Sequence, residues 1–120
     1  MTSFAVLIEG QVLQGQSFVS ALRFMQQAVE ASHTVDSVFL YRDAVGAASA
    51  LIDLPSDEPN LSLKLQQFCQ AHQIPLLFCT TAAEKRGVCS NQVKPADGYT
   101  TAGLAEFAMR LAQVDKLVQF

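Results

Sequence analysis

Ile74-Pro75-Leu76-Leu77-Phe78-Cys79-Thr80-Thr81-Ala82-Ala83-Glu84 decides the fold. The apolar run to Phe78 is too short for a helix and reads as a buried strand closing on Cys79. Thr80 to Glu84 then reads as a helix start. Thr81 and Glu84 have the Ser/Thr-x-x-Glu spacing of a capping box, in which each side chain satisfies an orphan backbone donor. Gly87 stands where a left-handed helix cap is favoured. A strand running directly into a helix is half of a parallel βα unit, and the chain repeats the pattern on both sides.

Upstream, Phe4–Ile8 reads as a first strand. It leads through the loop Gly10 to Gly15 into a helix marked by Phe18, Ala21, Leu22 and Met25. Val35–Tyr41 is β-branched and aromatic, a second strand. The Ala-rich stretch from Asp43 to Asp53 predicts a short helix or turn, broken by Pro55 and Pro59. Leu61, Leu65, Phe68 and Cys69 mark a helix ending near His72. Val88–Gly98 reads as a polar loop. Leu104, Phe107, Ala108 and Leu111 predict a last helix and Lys116–Phe120 a last strand. The fold class is therefore α/β, with a mostly parallel sheet.

Composition narrows the function. The 120 residues, half of them apolar, predict one domain spanning 1–120. A net charge of −3 argues against a sequence-independent binder of nucleic acid or anionic membrane, which needs a basic face. No run approaches membrane-spanning length and the first residues carry no basic export signal, so the expectation is a cytoplasmic protein. Three cysteines do not suit a disulfide framework. Without a CxxC pair they do not suit a zinc site either, and no metal is expected.

A thiol between a strand's carboxyl end and a helix's amino end meets unpaired N–H groups and a positive dipole end, which favour the nucleophilic thiolate. Cys79 is thus the candidate nucleophile, with a small packing residue as the alternative. Arg42 would leave a parallel strand on the same edge, where a cation stabilises sulfur anions; an ion pair with Asp43 or Glu9 competes with that role. Lys85 and Arg86 are either a docking patch for an acidic partner or cations suited to a helix's last turn. Cys69 belongs to the core. Cys89 is either a resolving thiol for Cys79 or an incidental exposed cysteine. His33 and His72 suit solvated or capping positions. Phe39, Tyr41 and Phe78 are core candidates. The Gly10–Gly15 loop matches no phosphate-binding pattern.

Five segments in order carry a family resemblance. They are Val38-Phe39-Leu40-Tyr41-Arg42 with its small-residue sequel, Ser56-Asp57-Glu58, Cys79 to Val88, Gly98 to Leu104, and Asp115 to Phe120. Over nearly its whole length the chain resembles the DsrE/TusD family of sulfur-relay proteins. The resemblance implies a flavodoxin-like domain of about five strands with helices on both faces. It also implies a sulfurtransferase whose Cys79 carries persulfide sulfur, without metal or organic cofactor, contact with nucleic acid or membrane. The partners it implies are a TusA-like donor, a TusE-like acceptor and TusB- and TusC-like subunits in a hetero-hexamer, or self-association. The sulfur would serve 2-thiolation of the tRNA wobble uridine. Alternatives are a DsrE-type role in sulfur oxidation and a non-catalytic scaffold subunit. The chain departs from the TusD pattern in a shorter Val88–Gly98 loop and in Cys89 within it.

Overall fold

The computed structural model describes residues 1–120. Five strands form one sheet: β1 Ser3–Ile8, β2 Thr34–Leu40, β3 Leu76–Cys79, β4 Thr100–Ala102 and β5 Lys116–Gln119. Every pairing is parallel, in the order β4-β3-β2-β1-β5. Four helices connect them: α1 Ser17–Glu30, α2 Leu61–Ala71, α3 Thr80–Lys85 and α4 Leu104–Leu111, with a 3-10 helix at Arg42–Ala48. The Ala-rich stretch after β2 is that 3-10 helix.

Strand alternation sorts the side chains to two faces. Phe39 stacks on Phe107 of α4, ring centroids 4.5 Å apart, so the α4 face holds Phe39 and its register partners Leu7 and Leu77. Phe4 meets Phe24 of α1 edge-on at 5.0 Å, which puts Phe4, Val6 and Ile8 on the other face. There α1 packs against α2, and the 3-10 helix against α2 and α3. Steps from β1 to β4 all move one way along the sheet and the step to β5 moves back, so right-handed crossovers leave α4 alone on its face. Phe107 is the one fully buried residue of α4. Phe18, Phe39, Phe78, Ile8 and Met25 are the largest side chains sealed in the core.

Three helices end in the same hydrogen-bonded turn. After α3, the N–H of Gly87 bonds to Glu84 and that of Val88 to Ala83, a Schellman motif with Gly87 left-handed at φ +70°. Ser32 after α1 and Gln73 after α2 fill the same role at φ +65° and +56° without glycine.

Two expectations need correction. The capping box does not form: Cys79 itself occupies the cap position of α3, and no side chain bonds there. Thr80 is already helical, so Thr81 lies two residues past the cap position, and the Thr80 hydroxyl reaches the Ala102 carbonyl at 3.4 Å. Cys89 is not exposed. The turn at Gly87 folds Val88 back onto Ala83 and tucks Cys89 under the surface, 7% exposed.

Candidate functional site

Strands β2, β3 and β4 end at one edge of the sheet, and a cleft of about 620 Å³ opens there. Tyr41 follows β2, Cys79 closes β3, and Ala102, its register partner, closes β4; all three line the cleft. Cys79 lies two residues past Leu77 and so shares the α4 face, where Gly103 and Leu104 begin α4. It is 5% exposed and is the only cysteine lining this cleft. Ligands of open α/β sheets gather at the carboxyl edge where the strand order reverses. Here the edge is the same, but the cleft lies over β2–β4, away from the reversal beside β1.

Arg42, Lys85 and Arg86 bring positive charge to the cleft, and Asp43 is its acid. Arg42 turns the chain out of β2 in the left-handed region, φ +54°, a conformation costly for a residue with a Cβ. Its Nε lies 3.7 Å from the Glu9 carboxylate and its guanidinium 5.8 Å from the centre of the Tyr41 ring. Of the two ion pairs the sequence offered Arg42, the one with Glu9 is present. Asp43 pairs instead with Arg86, Oδ1 to Nε 3.1 Å, while Arg86 also donates to the Ala82 carbonyl at 3.2 Å. The sequence offered Arg86 as part of a docking patch or as a cation suited to the last turn of its helix; it closes α3 at the cap position, and with Asp43 it forms one wall of the site. Tyr41, expected in the core, is half-buried and lines the cleft.

The other two thiols are set apart. Burial pushes the Cys69 thiol up to about 12, and the core reading of that residue holds. Burial, and then the nearby Glu84 carboxylate, push Cys89 up as well. Both shifts lower the thiolate fraction that reactivity requires. His33 accepts from the Thr2 N–H at 3.0 Å and His72 caps α2; neither lines the cleft. A side chain at Gly10 would overlap Ser17, so that glycine seats the loop on α1. No three His, Cys, Asp or Glu side chains converge in a way that could hold a metal.

Residues 3–120 match the DsrE/DsrF-like family. The chain belongs to that family. Among curated relatives of this DsrE/DsrF-like protein, the sulfurtransferase TusD homolog of Vibrio parahaemolyticus is 33% identical, over 98% of this chain and 97% of its own. The sulfurtransferase TusD of Pectobacterium atrosepticum is 32% identical over the full length of both. Among solved structures, the ychN protein from E. coli superposes with a TM-score of 0.82 over the whole of both chains at 24% identity, a likeness of fold. No helix of this DsrE/DsrF-like chain is long and apolar enough to cross a membrane.

Proposed function

We propose that the chain is a sulfurtransferase of a protein-to-protein sulfur relay, with Cys79 as the carrier. The observation that carries this reading is the placement of Cys79, alone among the three cysteines, in a cation-lined cleft at the strand ends. The relatives' names support the reaction class. In the loading step the Cys79 thiolate attacks the outer sulfur of a donor's Cys–S–SH. The donor's S–S bond breaks, Cys79 becomes the persulfide, and the donor leaves as thiolate. In the delivery step an acceptor's thiolate attacks that outer sulfur, and Cys79 leaves as thiolate again. Each step is a thiol–disulfide-type exchange that consumes no oxidant or reductant. Arg42 and Arg86 stabilise the sulfur anions on both sides of the exchange.

Residues 1–120 act in this reading as one domain in the cytoplasm, assembled with TusB- and TusC-like subunits and served by a TusA-like donor and a TusE-like acceptor. The sulfur goes to the wobble uridine of tRNA. A scaffold role draws support from the low exposure of Cys79. The test is sulfur hand-over: a radiolabelled persulfide donor protein is mixed with the chain, and label is then followed onto an acceptor thiol. The relay predicts transfer by wild type, Cys69→Ser and Cys89→Ser and none by Cys79→Ser. Undiminished transfer by Cys79→Ser refutes the relay, and absence of transfer by wild type leaves the scaffold.

A further inference from the structure

Three strand ends stand side by side at the cleft. Ile8, Leu40 and Phe78 are register partners across β1, β2 and β3, so Glu9, Tyr41 and Cys79 form the next row. Arg42 follows one residue later on the middle strand. Neighbouring strands lie about 5 Å apart. The Arg42 side chain therefore starts between a carboxylate on one side and the candidate carrier thiol on the other, and its long stem spans either gap. The two ends of the Glu9–Arg42 pair are held very differently. The Glu9 N–H donates to the Phe120 carbonyl at 2.8 Å, and its Oε1 accepts from Gln119 Nε2 at 3.1 Å, which ties Glu9 to the end of β5. Its other oxygen, Oε2, is the one 3.7 Å from Arg42 Nε. The Arg42 side chain is 67% exposed and makes that one ion pair. Of the other cations lining the cleft, Arg86 is fixed by Asp43 and the Ala82 carbonyl, and Lys85 makes no ion pair. Arg42 is thus the one cation of the cleft that rests on a tethered carboxylate from outside it.

We propose that Glu9 is a positioning residue that sets how much of the Arg42 charge reaches the sulfur on Cys79. While that sulfur is neutral, Arg42 rests on Glu9. When it is anionic, as thiolate or as persulfide, the guanidinium moves across the strand end towards it, and Glu9 stays behind on Gln119. The carboxylate's competition weakens the hold of Arg42 on a loaded persulfide, a hold that must be given up when the outer sulfur leaves. The proposal rests on the reading of Cys79 as a carrier and names what regulates its anion. A merely structural role for the pair fits less well. β1 and β2 are already joined along Ser3–Ile8, and the Tyr41 N–H donates to the Ile8 carbonyl at 2.9 Å, so one exposed ion pair adds little to the fold.

The test reads the field over Cys79 without any sulfur transfer. The full chain is alkylated at one pH with iodoacetate, an anion, or with iodoacetamide, its neutral counterpart, and the rate at Cys79 is followed by peptide mass spectrometry. Glu9→Gln keeps the size of the side chain and an oxygen for Gln119, and removes only the charge. It should raise the iodoacetate-to-iodoacetamide rate ratio roughly two- to fivefold, the span of an exposed ion pair, and less at high salt. Arg42→Gln should lower the ratio, and adding Glu9→Gln to it should change the ratio by less than about 1.5-fold, the low end of that span. Retained circular dichroism certifies each fold. A structural role moves both reagents together, and an unmoved ratio overturns the proposal. So does an equal rise in both backgrounds, since Glu9 would then act on the cleft directly. So does a Cys79 that neither reagent reaches in any of the four proteins. If the ratio moves as expected and a persulfide donor loads nothing on Cys79, the carrier reading fails and the role of Glu9 stands as control of a thiolate. If sulfur is carried and the ratio stays put, the carrier stands and the role of Glu9 fails.

Discussion

Raising the pH from about 8 to about 10.5 should destabilise the fold through Cys69, and the Cys69→Ala variant should reveal it. In the folded chain burial holds this thiol protonated up to about 12, against an ordinary 9.0. Once unfolded it ionises at the ordinary value. Above pH 9 the unfolded state therefore binds fewer protons than the folded one, and stability falls as pH rises. The contribution is complete below 9 and drains away towards 12. At about 1.4 kcal/mol per pH unit, the stretch from 9 to 10.5 removes about 2 kcal/mol. Cys69→Ala leaves a small void in the core, worth about 1 kcal/mol near pH 8, but has no thiol to ionise. The two proteins should thus exchange rank: wild type more stable near pH 8, the variant more stable near pH 10.5. Urea unfolding under reducing conditions, with midpoint and slope fitted at each pH, reads this directly. Cys89 titrates in both proteins and cancels in the comparison. Tyr99, pushed up by burial and also by the Cys69 charge, is pushed up less in the variant and so adds to the difference in the same direction. A difference that stays constant across the pH range would refute the reasoning.

Phe107→Ala should cost about 3–4 kcal/mol in urea unfolding, since Phe107 is the sole fully buried anchor of α4 and stacks on Phe39; a loss below about 1 kcal/mol would contradict that role. Ser32→Gly and Gln73→Gly should each stabilise by about 0.5–1 kcal/mol, visible as a higher Tm, because both residues hold a left-handed conformation that glycine adopts freely. Ser37→Ala should be neutral or stabilising by up to about 1 kcal/mol, the reverse of the usual core substitution, since the Ser37 hydroxyl is buried without a hydrogen-bond partner. Clear destabilisation by calorimetry would show that the hydroxyl is satisfied.

Where local chemistry was decisive, the chain could be read directly. The runs that became β1, β2, β3 and β5 announce themselves by apolar and β-branched content, and Gly87 marks the end of α3. β4 escapes notice because it is three residues long, Thr100–Ala102, with two of them exposed. Ser32 and Gln73 end their helices without the glycine that would have signalled it. The capping box failed because Cys79, two residues before Thr81, takes the cap.

The candidate site divides in the same way. Cys79 and Arg42 were legible because a parallel sheet sends strand ends to one edge. The Asp43–Arg86 wall was not, because it joins residues 43 positions apart and depends on the 3-10 helix packing on α3. Nor was the burial of Cys89, which comes from hydrogen bonds of the turn rather than from the polarity of the loop.

The central claim is that Cys79 carries the sulfur, and site-resolved mass spectrometry of the loaded protein tests it most directly. After incubation with a persulfide donor protein, alkylation and trypsin digestion, one sulfur atom's mass should be gained on the peptide Leu65–Lys85, which holds both Cys69 and Cys79. Fragmentation should place that mass after His72, on Cys79, and the peptide with Cys89 should stay unchanged. Sulfur found on Cys69 or Cys89, or a loaded Cys79→Ser protein, would contradict the account.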